Sequence, residues 1–185
     1  GNYFRDVVWS ENIDGVFDDY AFVYEDEELG SVSVIAAGDL DDDGDVDVVA
    51  PELVGRKLYW FKNDGGGNFQ KYTLVSGGVF SSVSVVDLDL DGDLDVLYND
   101  YYNGDVYWSR NDDGSFSSHV IFNSDNRSFF SRTGDVDNDG DVDVFSASGE
   151  GGKFYWHENI GDEGFVTHVL SESFVDPSSL YLADL

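Results

Sequence analysis

Three short stretches of this chain carry more carboxylate than a simple turn can use. The second reads Asp87-Leu-Asp-Leu-Asp-Gly-Asp-Leu-Asp95, five carboxylates in nine residues. Such a loop repels itself and closes only around something cationic. Hard divalent ions with oxygen ligands do this. Ca²⁺ suits an irregular, carboxylate-rich shell better than Mg²⁺, which wants strict octahedral geometry and keeps its waters. The side chains of Asp87, Asp89 and Asp91 can converge on one point, and Gly92 allows the φ > 0 turn that brings the chain round. The backbone carbonyl of Asp93 and the carboxylate of Asp95 close the expected shell. The pattern recurs from Asp39 to Asp47 and from Asp135 to Asp143. An EF-hand does not fit, because its longer loop ends in Glu and lies between helices.

The loops keep time. Asp39 to Asp87 is 48 residues and Asp87 to Asp135 is 48 again, with Asp184 following 49 later. Tryptophan keeps the same beat at Trp60, Trp108 and Trp156, and Trp9 stands 51 residues ahead of the first of these. Each is followed three residues on by Asn: Asn12, Asn63, Asn111 and Asn159. A fixed period of this length signals a repeat architecture.

Within one unit the pattern is strand and turn. Ser81–Val86 is a β-rich run entering the loop, and Asp93–Tyr98 leaves it with Leu94, Val96 and Tyr98 in alternation. After the Asn103-Gly104 turn, Asp105–Ser109 makes a third strand, and Phe116–Phe122 a fourth. Four short strands per period describe one blade of a β-propeller. The expected fold is therefore all-β: four-stranded antiparallel blades with a ~48-residue repeat, three complete and a fourth split between the chain ends. The expected divisions are a partial blade over 1–30, blades over 31–78, 79–126 and 127–175, and a first strand over 176–185. Tyr3–Ser10 matches a third strand, Ala21–Tyr24 a fourth and Leu180–Leu185 a first. A gap in a sheet exposes pairing groups, so flanking blades of a larger propeller, or a neighbouring subunit, are expected to complete it. Gly1 opens into a strand pattern without a start Met or signal peptide, as a mature or excised segment would.

These units resemble the FG-GAP/VCBS-type repeats of integrin-α-like propellers. The resemblance rests on the acidic loops together with Tyr59-Trp60-Phe-Lys-Asn63 running to Phe69, Tyr107-Trp108-Ser-Arg-Asn111 to Phe116, and Tyr155-Trp156-His-Glu-Asn159 to Phe165. It spans essentially the whole chain and implies about three Ca²⁺ sites between first and second strands. The implied ligands are Asp39, Asp41, Asp43, Asp45 (backbone) and Asp47. In the next loop they are Asp87, Asp89, Asp91, Asp93 (backbone) and Asp95. In the last they are Asp135, Asp137, Asp139, Asp141 (backbone) and Asp143. The first unit has no such loop, and Asp184 lacks the rest of one.

Composition narrows the function. With 41% hydrophobic and 16% aromatic residues the chain can bury a core despite a formal charge of −30. Three Ca²⁺ ions would bring that to −24, so nucleic acid and anionic membranes are poor partners. No apolar run of about 18 residues exists to insert into a bilayer. The absence of cysteine removes disulfides and thiolate metal sites. Weak Ca²⁺ sites suit an extracellular or cell-surface setting, since resting cytosol cannot fill them.

No catalytic set is visible. His119 and His168 stand where Tyr72 stands in the first full unit, a structural equivalence, and His157 has no recurring partner. The tryptophans read as inter-blade core, with a sugar-stacking platform as the alternative. Arg132 falls on a first strand where other units have Ala36, Ser84 and Tyr181, a place that would face a propeller's channel. Asn126-Arg-Ser128 is a glycosylation triplet. The expected function is a non-catalytic, calcium-stabilised scaffold for adhesion, surface assembly, or glycan or protein binding. Two rivals remain: an accessory or catalytic propeller of a polysaccharide lyase or hydrolase, and a structural subunit of a surface filament.

Overall fold

The computed structural model describes residues 7–10, 12–17, 21–24, 32–124, 127–149, 152–161 and 164–172. Their regular structure is entirely β, so none of it is a helix long and apolar enough to cross a membrane. Strand β1 (Val7–Trp9) pairs with β4 (Ala21–Tyr24), and a short hairpin of β2 (Asn12–Ile13) and β3 (Val16–Phe17) extends that ribbon. Pairing of Asn12 with Phe17 repeats the pairing of Asn63 with Phe69 and Asn111 with Phe116, so this ribbon is the outer half of a blade.

Three complete antiparallel meanders follow. The first comprises β5 (Ala36–Gly38), β6 (Asp47–Glu52), β7 (Lys57–Asn63) and β8 (Phe69–Ser76). The second comprises β9 (Phe80–Val86), β10 (Asp95–Asp100), β11 (Val106–Asp112) and β12 (Ser115–Phe122). The third comprises β13 (Ser128–Gly134), β14 (Asp143–Ser148), β15 (Phe154–Asn159) and β16 (Phe165–Ser171). These are the blades of a β-propeller. Residues Leu180–Leu185, Asp184 and Asn126 lie outside the described part.

The second strand of each complete blade is buried along all six residues. This differs from the alternation expected around Leu94, Val96 and Tyr98, and packing explains it. A blade is covered on both faces by its neighbours, so the side-chain period of two no longer separates core from solvent. Fourth strands sit at the rim and keep mixed exposure.

Apolar clusters lie between blades rather than within them. Val7 and Val23 of the half blade pack on Val48, Ala50, Tyr59 and Phe61 of the first full blade. Leu40, Val49, Leu58 and Trp60 meet Phe80, Val83, Val96 and Tyr98 of the second. Leu88, Leu97, Val106, Trp108 and Ile121 meet Val144 of the third. At roughly 1.5–3 kcal/mol per fully buried large apolar side chain, these interfaces dominate the cohesion of the array. First strands also carry polar ties, for the Ser131 hydroxyl donates to Asn99 Oδ1 at 2.6 Å.

The equivalence of the three aromatic pairs is visible in the register. Trp60 faces Tyr72 with ring centroids 5.1 Å apart, Trp108 faces His119 at 5.3 Å, and Trp156 faces His168 at 4.7 Å. Trp60 also meets Phe116 of the next blade edge-on at 5.5 Å, which makes it an inter-blade wedge. His157 is fully buried between Ser146 Oγ at 2.8 Å and Thr167 Oγ1 at 2.9 Å, and burial pushes its pKa down to about 4. It is a neutral core residue. Arg132 pairs across from Phe145, as Ala36 does from Val49 and Ser84 from Leu97, and donates to its neighbour Ser131's carbonyl at 2.7 Å.

Candidate metal centres

Each acidic loop joins the first strand of a blade to its second. The sixth loop residue is a glycine in the left-handed region: Gly44 at φ 94°, Gly92 at 104° and Gly140 at 102°. The turn folds the chain so that the glycine amide returns to the first aspartate, at 2.8 Å for Gly44 to Asp39, 3.2 Å for Gly92 to Asp87 and 3.2 Å for Gly140 to Asp135. The fourth residue is left-handed too, with φ near 55° at Asp42, 59° at Leu90 and 60° at Asn138. Asn and Asp tolerate that region, whereas for Leu it costs roughly 1–2 kcal/mol. The shared φ shows that loop geometry overrides side-chain preference.

The folding gathers three carboxylates per loop. Oxygens of Asp39, Asp41 and Asp43 lie within 4.8 Å of one another, as do those of Asp87, Asp89 and Asp95, and those of Asp135, Asp137 and Asp143. Among these groups, Oδ1 of Asp41, of Asp87 and of Asp89 is buried without a hydrogen-bond donor. A buried carboxylate oxygen left without a partner is costly. A single cation can satisfy several converging acceptors at once, so the donor set fits a hard divalent ion.

The remaining loop positions divide their labour. Asp43, Asp91 and Asp139 accept from the amides of Asp45, Asp93 and Asp141, at 3.1, 3.0 and 2.9 Å. The side chains of that seventh position turn toward the hairpin between third and fourth strands: Asp93 accepts from the Asp113 amide at 2.9 Å, and Asp45 lies against Gly65. That direction leaves their backbone, rather than their carboxylates, for the loop interior.

The ninth position does something the sequence reading did not anticipate. Asp47, Asp95 and Asp143 are wholly buried. One oxygen of each accepts from the second loop amide, Leu40 at 3.2 Å, Leu88 at 2.9 Å and Val136 at 3.2 Å. The other accepts from the third-strand asparagine amide, Asn63 at 2.7 Å, Asn111 at 2.8 Å and Asn159 at 2.9 Å. Asp47 also takes the Trp60 indole N–H at 2.9 Å. This aspartate is a clamp between loop and third strand. In the second and third loops it lies within the carboxylate group as well, while in the first Asp43 takes that place.

The family model for the FG-GAP-like repeat matches residues 39–98, 87–146 and 135–185. The chain belongs to the FG-GAP-like repeat family. No curated protein matches the chain. Among solved structures, an Agrocybe aegerita lectin specific for non-reducing terminal N-acetylglucosamine superposes with a TM-score of 0.63 at 21% identity. The match covers 92% of this chain and 48% of the lectin, so the chain spans about half that structure's length. At that identity the likeness shows the fold.

In these FG-GAP-like repeats the third-strand asparagine is a second residue whose role emerges only in three dimensions. Asn111 Nδ2 donates to Leu94 O at 3.0 Å in its own blade and to Leu40 O at 2.7 Å in the preceding loop. Asn159 does the same with Val142 O at 3.2 Å and Leu88 O at 2.9 Å. The carboxylate loop of one repeat is thereby bolted to the next repeat. Leu40 and Leu88 are each 1% exposed beneath that bolt, whereas Val136, which no described blade follows, is 46% exposed. The signal was present as the Trp-x-x-Asn beat, but its partner is 71 residues away.

The residue two beyond the tryptophan differs between repeats and tunes the loop charge. Lys62 reaches Asp41 and lies 3.5 Å from Asp43, and Arg110 lies 2.9 Å from Asp89 and 3.4 Å from Asp91. The third repeat has Glu158 there, which helps raise the pKa of Asp137 after desolvation and the nearer aspartates. A divalent ion must displace an ammonium or guanidinium in the first two loops but not in the third. In a calorimetric titration the third loop is expected to fill first. Lys62→Gln is expected to tighten the first site a few-fold, in line with about 0.5–1 kcal/mol for a partly exposed ion pair.

Asp95 yields a pH prediction. Burial pushes its pKa up to about 7, with Asp89 and Asp91 adding to the rise and the Asn111 and Leu88 amides opposing it. A folded-state value above the unfolded 3.8 means that the folded protein binds the proton more tightly. That contribution is complete below about pH 4 and disappears as pH rises through about 7. Metal-free protein is therefore expected to have a higher urea midpoint at acid than at mildly alkaline pH. Equal midpoints would contradict the burial argument.

Proposed function

We propose that this chain is a calcium-stabilised β-propeller scaffold that works outside the cell or at its surface, binding glycan or protein without catalysis. The observation that carries this reading is the set of buried carboxylate oxygens left without donors in loops that recur in phase. Ca²⁺ is the ion whose flexible shell suits three aspartates plus a backbone carbonyl. The ninth aspartate and the third-strand asparagine transmit the loop's closure to the neighbouring blade, so ion binding would stiffen the whole array. Weak sites of this kind are filled where Ca²⁺ is millimolar, which favours an extracellular setting.

The glycan reading draws support from the lectin of similar fold, whose ligand is a sugar. The non-catalytic reading draws support from the histidines: His157 is a buried neutral core residue, and His119 and His168 stack on tryptophans.

Calorimetry with Ca²⁺ is expected to give about three equivalents per chain, and a glycan panel is expected to give binding without turnover. Turnover of an acidic polysaccharide that copurifies with the chain and vanishes on a fold-preserving substitution would favour the lyase or hydrolase instead. Absence of calcium uptake would remove the scaffold reading.

A further inference from the structure

At the opposite end of the blades from the acidic loops, four side chains from three connections form a row. Arg56, between β6 and β7, sets its guanidinium over the Tyr102 ring at 6.0 Å. Tyr102 meets Tyr101 edge-on with centroids 5.3 Å apart, and Arg127, entering β13, sits over Tyr101 at 5.4 Å. The row spans the three full blades. Its backbone is tied down, with Tyr101 N bonding Val79 O at 2.6 Å, Gly77 N bonding Arg56 O at 2.8 Å and Gly149 N bonding Arg127 O at 2.9 Å.

Three nearby acids among the described residues are engaged locally. Asp100 accepts from the amides of Tyr102 and Asn103, at 2.8 and 3.2 Å. Asp105 takes the Tyr107 hydroxyl and the Ser124 amide, each at 2.9 Å. Glu52 takes the Gly55 amide at 2.8 Å. Among the described residues no carboxylate pairs with either guanidinium, although both arginines and Tyr102 are exposed. Stacking occupies the flat face of a guanidinium and leaves its in-plane N–H fork free for a carboxylate or sulfate.

Charge is distributed to match. Of the nine basic residues, Lys62 and Arg110 are spent on the acidic loops, while Arg56, Lys57 and Arg127 lie at this end together with Lys153, which pairs with Glu172 at 3.8 Å. A six-residue second strand separates the two ends by about 17 Å. That is about twice the Debye length at physiological salt, so the aspartates' field is largely screened here.

We propose that the Arg56–Tyr102–Tyr101–Arg127 row binds an anionic oligosaccharide, its acidic groups on the two guanidiniums and its sugar rings against Tyr102. The exposed Tyr102 ring in the row between the two cations distinguishes this surface from a simple basic patch. The assignment rests on the glycan-binding reading above and adds the charge class and the site.

The test titrates trigalacturonate and its carboxyl-reduced, neutral counterpart into the calcium-loaded chain at low and physiological salt. The acid form is expected to bind, more weakly as salt rises, and the neutral form at least about tenfold less tightly, the scale of a lost charge-assisted hydrogen bond. The Arg56→Gln/Arg127→Gln double variant is expected to lose about tenfold with an unchanged melting temperature, because both side chains are exposed. Tyr102→Phe should bind as the parent does and Tyr102→Ala should not. Equal affinity for both sugars, an indifferent double variant, or preferential binding to phosphatidylserine vesicles would each overturn the assignment. A neutral sugar ending in N-acetylglucosamine that binds while trigalacturonate does not would overturn this row alone. Failure of every glycan would overturn the glycan reading with it.

Discussion

Removal of calcium with a chelator is expected to lower the melting temperature by about 8–16 °C. A site held at ten times its dissociation constant contributes about 1.4 kcal/mol, and three such sites about 4 kcal/mol. For a chain of 185 residues each kcal/mol shifts the midpoint by about 2–4 °C. The shift is set by the loops' own chemistry. Without the ion, Oδ1 atoms of Asp41, Asp87 and Asp89 are buried with no donor, and Asp95 is pushed toward protonation. Lys62 and Arg110 offset part of that in the first two loops. Differential scanning calorimetry with and without chelator measures this directly. An unchanged midpoint would mean that the carboxylates close on their lysine and arginine partners alone.

Asp95→Ala is expected to cost about 3–5 kcal/mol, most of it independent of metal. The substitution strands the amides of Leu88 and Asn111, both buried, and each stranded buried donor costs about 1–3 kcal/mol. It also severs loop from third strand, loosening Asn111 and with it the bond to the preceding blade at Leu40 O. Asp91→Ala supplies the contrast. Asp91 is exposed and accepts only from the Asp93 amide and Arg110, so its loss should register with calcium present and nearly vanish with chelator. Urea midpoints of both variants, each with and without calcium, separate clamp from ligand. If chelator also abolished the Asp95 deficit, the residue would be a ligand and nothing more.

The two kinds of information divide cleanly along distance in the chain. Everything local was legible in the residues: the 48-residue beat, the glycine at the sixth loop position, the four strands of each blade and the equivalence of Tyr72, His119 and His168. Local order is readable because a repeat states it several times, and because a dense run of aspartate has few physical justifications. The ninth aspartate's second occupation was not legible, since a carboxylate that clamps amides and one that binds an ion are the same letter. Nor was the reach of Asn111 and Asn159 across blades, the burial of β6, β10 and β14 on both faces, or the row from Arg56 to Arg127. Those depend on which surfaces meet once separate blades stack, and stacking energy belongs to pairs of residues far apart in sequence. Sequence alone determined the blade and its acidic loop; the tertiary structure decided what each loop is fastened to, because hydrogen-bond partners and apolar neighbours exist only after the blades have packed.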